Sequence, residues 1–456
     1  MSSEPSGKAP FPRLSVWVLF AMVYGVYIAS PVRIQTDSIW SIPTAASILH
    51  EGNANLDEFR PTFSSYTAHG TYEHSDGHAY YDYPLGAVLA ALPFLAGMEA
   101  VLSLFEPALP HLGGLGTYIQ KWLLTFRSTG TIDLGFYNRT EQLIASFYVS
   151  VAVVVLFLAL RKQVPDRTAF ATALLFAFGT SAYSTASRVL WQHAPSLLTL
   201  ACIVFLLARP TQTVRTALLA GFAVACAYVC RPTNAVSVVV VTAFYVLRWP
   251  RLLPAFFGGA AVVALPFCAY NLSTYSSLFS PYYSQRLDPT QSRFFQALAA
   301  NLVSPSRGLL IYSPFLLLAV VGFFQKLRRR ELQAPEKAFA VAVLLHWVAI
   351  SAFPIWWAGH SVGPRFFTDV LPYLVYFLAF PLDALLSAPR RRPILTGVFA
   401  VAAVYSVLFH WRGSSSPAVH GWNSVPTNVD KDPARCWDWS DAQFLRALPF
   451  RSSGGA

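Results

Sequence analysis

Apolar positions along the chain come in long blocks broken by short polar stretches, without the period-two alternation of half-buried strands. Apolar runs lie at 14–30 and at about 143–160, 168–187, 194–208, 216–230, 234–249, 253–271, 308–325, 338–354, 367–387 and 394–410. A bilayer core needs about 20 helical residues to cross, so the shorter runs must extend into their polar flanks. Lipid offers the backbone no hydrogen-bond partners, so such runs fold as α-helices. The pattern predicts an all-α polytopic membrane protein with about eleven spans. Pro5 and Pro10 precede the first run, and no small-residue cleavage site follows it. It therefore reads as an anchor.

The charges set the expected orientation. About half of the 33 Lys and Arg cluster at alternate loops: Lys8/Arg13, Arg161/Lys162/Arg167, Arg209/Arg215, Arg248/Arg251, Lys326 to Lys337, and Arg390 to Arg392. By the positive-inside rule these loops are cytoplasmic. Residues 1–13 are then a cytoplasmic N-terminus. Residues 14–410 form the membrane domain, with a long outer first loop at 31–140, and 411–456 form an extracytoplasmic C-terminal segment. The apolar stretch 84–105 would invert every later loop if it crossed alone. It is placed in the outer interface or re-entrant, interrupted by Pro84, Pro93 and Glu99. If it is paired with a weak span near 112–126, the count becomes thirteen.

Composition narrows the class further. Of 456 residues, 55% are hydrophobic and 12% charged, about half the charge of a typical soluble domain. Aromatic content of 15% excludes a disordered chain, and five Cys exclude a disulfide scaffold. The net charge of +11 follows from the topology clusters and does not imply a nucleic-acid partner.

Most of the polar residues fall on the outer side, so candidate chemistry is sought at span ends. Asp37 follows the first span by a few residues. A carboxylate there can act as general base toward a hydroxyl, or can cap a helix starting at Ser38. Asp57, Glu58 and Asp82 are possible assisting acids, with turn, capping or interfacial roles as alternatives. His69, His74 and His78 stand close together beside Glu73 and Asp76. They could hold a metal, but the Gly-, Ser- and Thr-rich setting favours a solvated loop. No metal or cofactor is expected to be required. Outer cations recur beside Pro or Gly: Arg188, Arg231, Arg286, Arg293, Arg307 and Arg365, with His360. Snorkelling would explain each singly. Together they suggest an anion site, since guanidinium pairs with phosphate through parallel charge-assisted hydrogen bonds.

These segments carry a resemblance. Thr36-Asp37-Ser38, Tyr83-Pro84-Leu85-Gly86, Arg231-Pro232-Thr233-Asn234, Asn271 through Tyr283, Ser304 through Gly308 and Trp356 through Arg365 resemble the GT-C glycosyltransferases. More narrowly, they resemble the bacterial relatives of protein O-mannosyltransferases and of lipid A aminoarabinose transferases. The architecture matches to about residue 410. The resemblance implies a polyprenyl-phosphate-linked sugar donor, and a lipid, glycan or protein acceptor at the outer face of a bacterial inner membrane. It implies catalysis by Asp37 with inversion. The donor phosphate is expected at Arg231, Arg307, His360 and Arg365. Ser38 stands where relatives often carry a second acid, and no Lys lies near the Pro-led segment, so arginines would take the phosphate. Two other readings stay open: a lipid-linked sugar flippase or carrier, and a non-catalytic scaffold subunit of an envelope complex.

Overall fold

The computed structural model describes residues 14–33, 37–63, 70–127, 130, 133–279, 282 and 293–446. Among these, six helical stretches are long and apolar enough to cross a membrane: Gly86–His111, Leu134–Leu160, Pro250–Tyr275, Ala334–Ser351, Arg365–Ser387 and Pro393–Ser415. Five shorter apolar helices accompany them: Val16–Ala29, His193–Leu207, Val214–Cys230, Pro232–Arg248 and Phe294–Val303. The total agrees roughly with the expected eleven, but the membership differs. The run 168–187 is helical only over Asp166–Phe178, then widens into a single π-helical turn at Ala182–Ala186. The run 308–325 is broken at Ser313-Pro314, because proline supplies no amide to continue a helix. Conversely, Gly86–Phe105 is one unbroken helix. Neither Pro93 nor Glu99 interrupts it. Glu99 lies beside Arg127 and His50, which receive its charge.

Two helices form the centre. Leu134–Leu160 and Arg365–Ser387 bury most of their residues in protein, whereas Pro250–Tyr275 and Pro393–Ser415 bury few and turn residues such as Leu265 and Val401 outward. Lipid would cover those faces, since apolar side chains gain nothing from one another over lipid tails. Small residues make the helix contacts close. A Cβ on Gly221 would fall 1.8 Å from the Phe256 carbonyl oxygen, and one on Gly259 would fall 1.9 Å from that of Leu218. The Val214–Cys230 and Leu253–Tyr275 helices therefore touch backbone to backbone.

The first loop is built rather than open. It contains the helix Ser41–His50, a 3₁₀ turn at Asp57–Thr62 and an antiparallel hairpin pairing Thr71–Glu73 with Ala79–Tyr81. The C-terminal segment is also ordered. Residues 416–446 pack onto the loops at 304–308 and 356–363 through a cluster that includes Trp356, Trp357, Trp422 and Cys436. All five cysteines are free.

Candidate active site

The first helix ends at Ala29, and the chain brings Asp37 to the face formed by the 356–370 loop. The Arg365 Nη2 donates to Asp37 Oδ2 at 2.7 Å, closing an ion pair between residues 328 positions apart. Both side chains retain some exposure, 12% for Arg365 and 22% for Asp37. Arg365 opens a 3₁₀ turn, Arg365–Val370, and lies over the Trp191 ring at 3.9 Å. That contact fixes the guanidinium plane by cation–π attraction.

The pair continues inward. Arg365 Nε donates to His193 Nε2 at 3.2 Å, and Arg231 Nη1 reaches the same nitrogen at 2.7 Å. An arginine only donates, so His193 Nε2 accepts and the imidazole carries its proton on Nδ1. That proton faces Asp369 Oδ1 at 3.3 Å. Asp369 is fully buried. It also takes the Ser196 hydroxyl at 2.8 Å, and its Oδ2 stands 2.9 Å from Arg231 Nε. Asn234 in turn donates to Ser196 Oγ at 2.8 Å. The result is one connected string: Asp37, Arg365, His193, then Arg231 and Asp369. Its outer end is reachable and its inner end is dry. Such a string can hold an anion at the guanidiniums while a carboxylate stands beside it.

Local sequence explains the placement. Arg231 terminates the Val214–Cys230 helix, and Pro232 then redirects the chain. His193 is the first residue of its helix and is fully buried. The π-helical turn before it locks to the 361–370 loop, with Ser181 bonded to Thr368 at 2.8 Å and Thr185 donating to the Val362 carbonyl at 3.2 Å.

Comparison with solved structures bears on the fold. The oligosaccharyltransferase of Archaeoglobus fulgidus, crystallised with an acceptor peptide containing the NVT sequon tethered through a disulfide bond, superposes on 98% of this chain with a TM-score of 0.54 at 12% identity. The fold is GT-C-like. This chain covers 61% of the length of that structure. No family model matches the chain, and neither does any curated protein.

Within the GT-C-like fold the other expected residues are sorted by their partners. Arg307 and His360 do not join Asp37. The Arg307 guanidinium is 2% exposed and is saturated by the carbonyls of Ser306, Trp357 and Gly359 and the amide oxygens of Gln443 and Asn423. Burial depresses the pKa of this guanidinium. His360 bonds Asn428 at 3.0 Å, near Asp430. Both hold the C-terminal segment. The turn they hold meets the site where the Ala358 carbonyl accepts from Arg365 Nη1 at 3.4 Å.

Asp57 and Glu58 are occupied elsewhere. Asp57 accepts from Arg60, from the Ala79 amide and from His78. Glu58 accepts from Ser47. Asp82 lies just past the hairpin, where its amide donates to the Gly70 carbonyl. Among the described residues no group of His, Cys, Asp or Glu is arranged to hold a metal. His69 and Arg286 lie outside the described residues, while His74 pairs with Asp76 and His78 with Asp57. Asp37 does not serve as the first residue of a cap either. The helix starts at Ser41, with Trp40 at its cap position. Arg188 is no outer cation. It is fully buried between the Tyr27 and Tyr183 rings and donates to the Tyr27 carbonyl at 2.8 Å. Sequence reasoning missed Asp369 and gave His193 no role. The available signal was a carboxylate four residues after Arg365, at the head of an apolar run, where an unpaired charge would be costly.

Proposed function

We propose that this protein is a glycosyltransferase that moves a sugar from a polyprenyl-phosphate-linked donor to an acceptor hydroxyl at the outer face of a bacterial inner membrane. Asp37 removes the proton of the acceptor hydroxyl. The oxygen attacks the anomeric carbon, the bond from that carbon to the phosphate oxygen breaks, and the configuration inverts. Arg365, backed by Arg231, receives the charge that grows on the departing phosphate. The donor's lipid tail stays in the bilayer, so the breaking bond lies at the boundary where these groups meet. The N-terminus is cytoplasmic, the first loop and residues 411–456 are extracytoplasmic, and 14–410 form the catalytic membrane domain.

The Asp37–Arg365 ion pair carries this reading. A resting pair of this kind protects both groups until a phosphate competes for the guanidinium and releases the carboxylate. The string behind it gives Arg365 a fixed direction, because His193 can accept from it only while Asp369 holds the imidazole proton. The GT-C-like fold supports sugar transfer as the class of reaction. The test is Asp37→Asn in a vesicle assay with a polyprenyl-phosphate sugar. Loss of a general base is expected to slow transfer by about 10² or more with the fold intact. Transfer near the wild-type rate would remove Asp37 from its role.

A further inference from the structure

We propose that Tyr81 is a positioning residue for Asp37, its hydroxyl holding the Asp37 main chain in place when the Asp37–Arg365 ion pair opens. The inference rests on the glycosyltransferase reading for the role of Asp37 as base, though not for the tether itself.

The bond is direct. Tyr81 Oη donates to the Asp37 carbonyl oxygen at 2.6 Å, across 44 positions of sequence. A phenol has one proton, so the Ser41 hydroxyl, 3.3 Å from the same oxygen, donates to it. The Ser41 amide in turn donates to the Ser38 carbonyl at 2.8 Å. Tyr81 thus joins both ends of the turn 37–41. Ser38, Ile39, Trp40 and Ser41 are buried and Tyr81 is 3% exposed, so water has little access to replace the hydroxyl. Burial also raises the Tyr81 phenol well above its usual value, which keeps it a donor.

The first-loop hairpin delivers this hydroxyl. Alternation along Ala79–Tyr81 turns Ala79 and Tyr81 to the buried side and Tyr80 to the other, where the Tyr80 hydroxyl donates to Asp76 at 3.1 Å. The strand itself is fastened twice. The Leu56 amide donates to the Ala79 carbonyl at 2.8 Å, and Tyr275 Oη donates to the Tyr81 carbonyl at 3.3 Å. Tyr275 ends the Leu253–Tyr275 helix, so the strand is fixed to the membrane domain.

The mechanism calls for such a tether. At rest Arg365 holds the Asp37 carboxylate at 2.7 Å. A phosphate that takes the guanidinium removes this bond just when the carboxylate must meet the acceptor hydroxyl. A reacting group misplaced by about 1 Å can lose about 10² in rate. The Tyr81 bond acts on the main chain and survives the exchange of partners at the side chain.

The experiment is a double-mutant cycle on the detergent-solubilised full chain, Tyr81→Phe against Arg365→Ala, read by hydrogen exchange in residues 38–44. Each single variant leaves one tether and raises exchange about threefold or less, while the double variant raises it at least about fivefold beyond the product of the two. The cycle needs neither donor nor acceptor, so its outcome is separate from the glycosyltransferase reading. In a transfer assay with a polyprenyl-phosphate sugar, Tyr81→Phe lowers kcat about tenfold with donor KM unchanged. Tyr80→Phe, which removes a hydroxyl from the other side of the same strand, leaves kcat at the wild-type value. The inference is overturned if the two exchange effects simply multiply, or if Tyr81→Phe and Tyr80→Phe share one kcat. An Asp37→Asn enzyme as active as wild type overturns the catalytic reading alone.

Discussion

At position 365 the charge alone does not account for the geometry. Arg365 donates in three directions, to Asp37, His193 and the Ala358 carbonyl, and its plane rests on Trp191. A lysine keeps the charge and cannot fill the fork. Arg365→Lys is therefore expected to lower kcat by at least about tenfold, the loss growing toward 10² if the guanidinium makes more than one bond to the departing phosphate. Donor KM should change less, because a lysine still attracts the ground-state phosphate. Steady-state kinetics with a polyprenyl-phosphate sugar check this. A kcat equal to wild type would reduce Arg365 to a simple counter-charge. Asp37 and the arginines at 231 and 365 were legible as span-end polar residues. Arg307 was not separable from them by sequence. It has the same Pro/Gly setting, and only the fold shows that its five donors are consumed by carbonyl and amide oxygens. Asp369 was legible only as a carboxylate at the head of an apolar run; its partners were not, because His193, Ser196 and Arg231 come from elsewhere in the chain.

Elements were legible where one hydrophobic run makes one helix, and illegible where polar contacts override the run. The run 168–187 carries no charge, yet its second half is rich in Ser and Thr, and Ser181 and Thr185 bond across to 361–370 where it opens into a π turn. The first-loop hairpin was not expected, because three-residue strands give too little alternation to detect. It is held by charge. Arg60 joins Asp57 to Glu73, and His78 joins Asp57. Partial desolvation works to raise the Asp57 carboxyl, but the His78, Ala79 and Arg60 hydrogen bonds outweigh it and hold the carboxyl below its usual range. The bond to Asp57 raises the His78 imidazole above its usual value. A raised imidazole stabilises the fold below the unfolded pKa of about 6.5, and that contribution is lost as pH rises through the folded value. The depressed carboxyl contributes above about 3.8 and is lost as pH falls through its folded value. Residues 71–81 should thus be better protected from hydrogen exchange at pH 5.5 than at pH 8, after correction for intrinsic rates. The effect should be small, since the pair is solvent-screened. Equal protection at both values would mean that backbone pairing alone holds the hairpin.

Over the whole molecule, the C-terminal segment works as a clamp on the loop that carries Arg365. Gln443 accepts from Arg307 at 2.9 Å, from the Gly363 amide at 3.1 Å and from Tyr312 at 3.2 Å, and donates to the Ser361 and Val419 carbonyls. Its removal leaves several buried groups unpaired, each costing about 1–3 kcal/mol. Gln443→Ala is expected to lower the thermal midpoint and raise exchange in 356–365, while Gln443→Glu, which keeps the acceptors, should perturb the loop less. Unchanged exchange in both variants would show that the segment does not hold the loop. The membrane-domain plan was visible in the hydrophobic blocks, and this clamp was not, because polar tails carry no period. The central claim concerns one place where distant residues meet. A cryo-EM structure of the full chain with a bound polyprenyl phosphate tests it most directly. The account predicts phosphate density within hydrogen-bond distance of the Arg365 guanidinium, with the Asp37 carboxylate released toward an open acceptor position. Phosphate bound elsewhere, with the Asp37–Arg365 pair still closed, would contradict it.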